Sequence, residues 1–184
     1  MELIGPYLAA CTLLVVAGAT KTVRPLDTAR AVAAVLPVRL AVVAPLVRIA
    51  AATEGAIGIA GIVHPSPWTA WAVAVSYLLF AGFVTVVLTR GGPLASCGCF
   101  GTPDTPATRL HVVVDLVLAA SAATVAAGVS AGWLPVVLDP QPWHGVPLLL
   151  ASLVGAWVAA LTLTRLAVLG ASRRELGITR GVAR

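Results

Sequence analysis

Charge is distributed so unevenly along this chain that the gaps between charges constrain the fold more than any motif. Residues 3 to 20, 55 to 89, 116 to 138 and 140 to 164 contain no Asp, Glu, Lys or Arg. A helix needs about 20 apolar residues to cross the hydrocarbon of a bilayer. Each run is long enough for a span, and the second is too long for one. His64-Pro65-Ser66-Pro67 divides it, because two prolines and a polar residue break a helix. Leu138-Asp139-Pro140-Gln141-Pro142 separates the last two runs in the same way. The spacing predicts helices at about 3–20, 38–63, 68–89, 110–129 and 146–169. The second of these takes in Arg48 and Glu54. Before it, Asp27 in Pro25-Leu26-Asp27-Thr28 is expected to N-cap a short interfacial helix over 28–36, ended by Pro37. The fold class is therefore all-α, a polytopic transmembrane helix bundle. Residues 1–184 read as a single membrane domain, with 170–184 as a basic cytoplasmic tail.

Composition agrees. Only 10% of the 184 residues are charged and 59% are hydrophobic, whereas a soluble domain carries about 25% charged residues. Too few polar groups exist to cover a water-facing surface, so a soluble globular protein is excluded. Disorder is excluded too, because disordered chains are polar and charged. The lipid bilayer is the expected solvent. The net charge of +5 is read as basic loops facing anionic lipid, not as a nucleic-acid surface.

The basic residues also orient the chain. Lys21, Arg24 and Arg30 fall in the first loop, Arg90 and Arg109 in the third, and Arg173, Arg174, Arg180 and Arg184 in the tail. The loops around 64–67 and 130–145 contain no Lys or Arg. By the positive-inside rule the N-terminus lies outside and the C-terminus in the cytoplasm of a bacterial plasma membrane. Trp68, Trp71, Trp133 and Trp143 fall near the outer boundary, as an aromatic belt would. Leu8-Ala9-Ala10-Cys11 resembles a lipoprotein cleavage box. It lacks the preceding basic region, and the apolar run continues past it, so Cys11 is expected to be a small packing residue.

Chemistry concentrates in the third loop, Arg90-Gly91-Gly92-Pro93-Leu94-Ala95-Ser96-Cys97-Gly98-Cys99-Phe100-Gly101. Cys97 and Cys99 in a polar turn could carry thiol redox chemistry or capture a metal, since the thiolate is the active species in both. Arg90, Arg109 and the start of the next helix could favour the thiolate. A disulfide across Gly98 would close a very small, strained and therefore oxidising ring. For metal, Cys97 and Cys99 with His111 would suit Cu(I) or Zn(II), with Asp104 or Asp115 as a further ligand. Otherwise His111 is an interfacial histidine touching headgroups, the favoured expectation. His64 and His144 are expected on the opposite side.

Glu54 lies deep in a span, where an ionisable group is costly and should face the bundle interior. It could relay protons, tune a bound quinone or clamp helices structurally. Arg48, six positions earlier, points off that face, so each is expected to find its own partner in another helix. Asp115 is expected at the interface near Arg109. Ala51, Ala52, Gly55, Gly58 and Gly61 make a small-residue stripe suited to close helix approach. No internal repeat is evident.

Three segments resemble the methylamine-utilisation MauE family, which is related to the DoxX-like membrane proteins. They are Gly18-Ala19-Thr20-Lys21 with Arg24-Pro25, Pro45 with Glu54 and Gly58, and Cys97-Gly98-Cys99-Phe100-Gly101. The likeness covers roughly residues 1 to 130 and implies a four-helix DoxX/MauE-like core plus a fifth C-terminal helix. The family is associated with maturation of methylamine dehydrogenase, whose small subunit needs many disulfides. The resemblance thus implies a membrane thiol–disulfide oxidoreductase or maturation factor for a redox enzyme, with Cys97 and Cys99 as the redox pair. A thioredoxin-like or redox-enzyme partner and quinone as electron acceptor would complete the reaction. That role concerns proteins outside the cytoplasm, whereas the charge pattern places this pair inside. The alternatives are a soft-metal-handling factor and a structural assembly subunit of a membrane complex.

Overall fold

The computed structural model describes residues 4–36, 38–90, 108–128 and 134–163. Among them every regular element is helical, as expected: α1 (Ile4–Val23), α2 (Pro25–Val35), α3 (Leu40–Val63), α4 (Pro67–Thr89), α5 (Arg109–Gly128), α6 (Leu134–Leu138) and α7 (Val146–Leu161). Five helices, α1, α3, α4, α5 and the α7 segment, are long and apolar enough to cross a membrane. Cys97, Cys99 and Asp104 lie outside the described residues, as do Trp133 and the 170–184 tail.

The helix boundaries follow from local chemistry. Ser66 caps α4: its hydroxyl accepts from the Thr69 N–H at 3.2 Å, and its own N–H donates to Thr69 Oγ1 at 2.9 Å. Pro67 then starts the helix without wasting a donor. At α2 the expectation for Asp27 is corrected. Pro25 already occupies the first turn, so Arg24 takes the cap position with no side-chain cap. The fixed φ of proline starts the helix three residues earlier than the N-cap preference of Asp27 would. Asp27 instead pairs with Arg30 at 3.2 Å. Hydroxyls inside the spans bond back into their own helices. Thr12 to Leu8 O (2.8 Å), Ser76 to Ala72 O (2.9 Å) and Ser152 to Leu148 O (2.7 Å) are examples. In hydrocarbon no water would satisfy these groups.

α1 is the central helix, and α3 runs antiparallel to it. The stripe expected from the sequence makes this contact. A Cβ on Gly18 would lie 2.6 Å from the Ala51 carbonyl, one on Gly58 2.7 Å from the Cys11 carbonyl, and one on Gly61 2.8 Å from Cys11 Sγ. Only glycine permits such approach, and dispersion over close backbones is what drives helix association in lipid. Cys11 is fully buried here, the packing residue it was expected to be. Tyr7 donates to the Gly61 carbonyl at 3.3 Å, and Tyr77 of α4 donates to the Ala10 carbonyl at 2.7 Å. α4 and α5 pack tightly together, and α7 lies against α1 through Ala9, Leu13 and Ala156.

This up-and-down arrangement sorts the connections onto two ends. His64–Ser66 and the 134–145 segment share the end where α1 begins. The α1–α3 connection, the end of α4 and the start of α5 share the other. Large apolar side chains such as Leu46, Ile49, Leu79, Val117, Leu150 and Leu153 point outward, toward where lipid would lie. Trp68 and Trp143 are 84% and 81% exposed at the first end, and Trp71 is half exposed one turn in.

Candidate functional site

The close α1–α3 contact determines what stands beside it. One turn from Gly18 is Lys21, and one turn from Ala51 is Glu54. With the backbones this near, Lys21 Nζ reaches Glu54 Oε2 at 2.8 Å. Both are largely shielded, with side-chain exposures of 7% and 18%. Glu54 thus has the partner in another helix that was expected of it. Lys21 was assigned to the first loop as an orienting charge. It is instead buried in the last turn of α1, because the glycine contact draws it under α3.

α4 completes the site. The Lys21 ammonium sits 4.2 Å from the Phe80 ring centroid, where the negative face of the ring attracts it. Tyr77, one turn earlier on the same face, meets Phe80 edge-on at 5.8 Å and 89°. From α5 come Asp115 and His111. Together Lys21, Tyr77, Phe80, His111, Asp115 and Leu118 line an internal cavity of about 30 Å³, room for about one water.

His111 corrects an expectation. It is 3% exposed, not spread over the headgroups, because it occupies the first turn of α5 on the face toward α4. Its Nδ1 lies 2.9 Å from Thr108 Oγ1, and its Nε2 is buried with no hydrogen-bond partner among the described residues. Asp115 likewise turns inward to the cavity. His64 and His144 lie at the opposite end of the bundle from His111, and His144 pairs with Asp139 at 3.3 Å. Arg48 is the second correction. Expected to be buried with a partner in another helix, it is exposed on α3 and makes no ion pair among the described residues.

On its other flank the Lys21–Glu54 pair meets the membrane side of the bundle. α3 and α4 diverge there, leaving an open groove of about 450 Å³ lined by Thr53, Glu54, Ile57, Trp71, Ser76 and Phe80 among others. Phe80 lines both spaces, and the ion pair links them, with Lys21 on the wall of the internal cavity and Glu54 on the wall of the groove. Arg90 caps the end of α4 and Arg109 begins α5. The described residues that flank the 91–107 segment, Arg90 and Thr108, thus lie at the same end as this cluster. No group of three metal-ligating side chains occurs among the described residues.

Of the three segments that carried the resemblance, the first two in chain order, Gly18 to Pro25 and Pro45 to Gly58, meet at this site. Residues 2–128 match the family described as Methylamine utilisation protein MauE. The chain belongs to the MauE family. The match spans α1 through α5, so the ion pair, the groove and the cavity wall apart from Leu163 lie within the MauE region, and Cys97 and Cys99 fall within it in sequence. The chain is an integral membrane protein of MauE type. No curated protein and no solved structure matches it.

Sequence reasoning missed Lys21, Tyr77 and Phe80. The available signal was that Lys21 is the sole lysine, three residues after a glycine on an otherwise apolar helix, while Glu54 stands three residues after Ala51. The aromatic pair carries no such mark, because Tyr and Phe in a span read first as packing.

Proposed function

We propose that this MauE protein is a membrane thiol–disulfide factor that supports maturation of a redox enzyme, with Cys97 and Cys99 as the redox pair. In this scheme the dithiol of Cys97 and Cys99 is oxidised to a disulfide. Its two electrons and two protons pass to a quinone dissolved in the membrane, which becomes the quinol. The disulfide then oxidises a partner dithiol, on a thioredoxin-like protein or on the client enzyme, and returns to the dithiol. Glu54 and Lys21 would handle protons at the inner end of the groove.

The observation that supports this most is the joint placement of the buried Lys21–Glu54 pair. It lies at the same end as Arg90 and Thr108, which flank the segment that holds the cysteines in sequence, and its Glu54 is on the wall of a lipid-facing groove. A groove of about 450 Å³ is of the size ordinary for small-molecule sites. The proposed orientation keeps the N-terminus outside and the C-terminus in the cytoplasm of a bacterial plasma membrane. Methylamine metabolism enters through the family description.

Thiol trapping in intact cells followed by mass spectrometry tests the scheme. A Cys97–Cys99 disulfide that forms under oxidising conditions and disappears under reducing ones is expected. Two thiols that stay reduced under every condition would end it. A second function, soft-metal capture by Cys97, Cys99 and His111, is favoured by the buried Nε2 of His111, which has no hydrogen-bond partner among the described residues. Metal analysis of the purified protein against a Cys97→Ser/Cys99→Ser variant separates the two, and equal metal content in both excludes capture here.

A further inference from the structure

The α2–α3 cleft holds a charge pattern that the thiol scheme does not use. α2 folds back over the first half of α3, and between them lies an open cleft of about 540 Å³. Three arginines line it: Arg24 just before α2, Arg30 on α2 and Arg48 on α3. Arg30 is engaged with Asp27 at 3.2 Å. Arg24 and Arg48 form no ion pair among the described residues. Asp27 is the sole acidic residue on the lining, so the cleft carries a net charge of +2 from three arginines and one aspartate. Its remaining walls are Val23, Pro25, Leu26, Ala44 and Pro45.

Arg48 is the decisive residue. It stands eight positions into an apolar spanning helix, about 12 Å along it at 1.5 Å per residue. A charge at that depth is costly unless it reaches an anion or the interface. Two carboxylates are engaged elsewhere, Glu54 of the same helix by Lys21 and Asp27 of the cleft wall by Arg30. Guanidinium groups bind phosphate oxygens bidentately, and apolar walls beside them suit the glycerol and upper acyl carbons of a lipid.

We propose that the α2–α3 cleft is a binding site for the phosphate headgroup of an anionic phospholipid, held by Arg24 and Arg48. The site lies at the basic end of the bundle, apart from the lipid-facing groove beside Glu54, and it does not depend on the thiol scheme.

The test uses the full chain purified in neutral detergent, with lipid binding read by native mass spectrometry and thermal unfolding. Phosphatidylglycerol, phosphatidylcholine and inorganic phosphate are compared. Phosphatidylglycerol is expected to be retained and to raise the unfolding midpoint, and phosphatidylcholine is expected to do neither. Arg24→Ala/Arg48→Ala should weaken phosphatidylglycerol binding about tenfold or more, since two charge-assisted contacts are lost. Arg39→Ala, an exposed arginine outside the cleft, should bind as the parent does. Arg48→Lys keeps the charge and loses the fork, so a partial loss is expected and guards against misfolding of the double variant. Equal binding by the double variant and the parent would overturn the site. Equal loss in Arg39→Ala would reduce it to general surface charge. Protection by inorganic phosphate equal to that by the lipid would overturn the lipid assignment.

Discussion

Replacing Glu54 by Gln removes one charge from the Lys21–Glu54 pair and leaves the shape almost unchanged. At 2.8 Å and an effective dielectric of about 20, the attraction between the two charges is about 6 kcal/mol. Desolvation of both groups offsets most of it, so the net worth of the intact pair is small. The cost of breaking it is not small, because Lys21, 6% exposed, keeps its charge and loses its counter-ion. Buried pairs broken in this way lose about 3–5 kcal/mol. The Phe80 ring, 4.2 Å from the ammonium, retains about 2 kcal/mol of stabilisation for the stranded cation. A chain unfolded within the bilayer also finds other polar partners, so the low end of the range, about 3 kcal/mol, is expected for Glu54→Gln. Lys21→Met should cost a similar amount by stranding Glu54. Lys21→Met/Glu54→Leu should recover most of the loss, within about 1 kcal/mol of the parent, because no charge is left buried. Reversible unfolding in bicelles by added SDS measures all three, with Thr53→Ala as a neighbouring control whose hydroxyl bonds only Ile49 of its own helix. Single variants within about 1 kcal/mol of the parent, or losses that simply add in the double variant, would refute a coupled buried pair.

The same unfolding measurement separates the glycines. Gly18→Val places a Cβ 2.6 Å from the Ala51 carbonyl, so α1 and α3 must part and a loss of at least about 3 kcal/mol is expected. Gly82→Ala has nothing within 4 Å of the new Cβ and should be neutral or up to about 1 kcal/mol more stable. Tyr77→Phe deletes the buried bond to the Ala10 carbonyl and should cost about 1 kcal/mol, visible as a lower midpoint at unchanged helix content by circular dichroism. Labelling of intact cells with a membrane-impermeant thiol reagent should spare Cys97 and Cys99 under the charge-based orientation. Labelling without lysis would reverse that orientation.

Much of this protein is legible in its sequence, and the reason is the solvent. In lipid, backbone groups must bond within their own helix, so long uncharged runs translate directly into spans. The structure places α3, α4 and α5 within a few residues of the predicted spans. The small-residue stripe on α3 was readable for the same reason, since only close backbones can drive association where every side chain is as apolar as its surroundings. Chain position alone could not give the pairing. Lys21 and Glu54 are 33 residues apart, and their meeting depends on where glycine lets two helices touch. Arg48 and His111 show the limit from the other side. Both sit at helix positions that the sequence leaves ambiguous, and the rotation of each helix about its axis, set by packing, sends Arg48 out and His111 in. The sequence by itself determined an all-helical membrane protein of the MauE family, because hydrophobic length and charge spacing act locally. The tertiary structure alone decided which few polar residues share an interior, because in a bundle that outcome rests on helix rotation and contact distance, neither of which is written in any one helix.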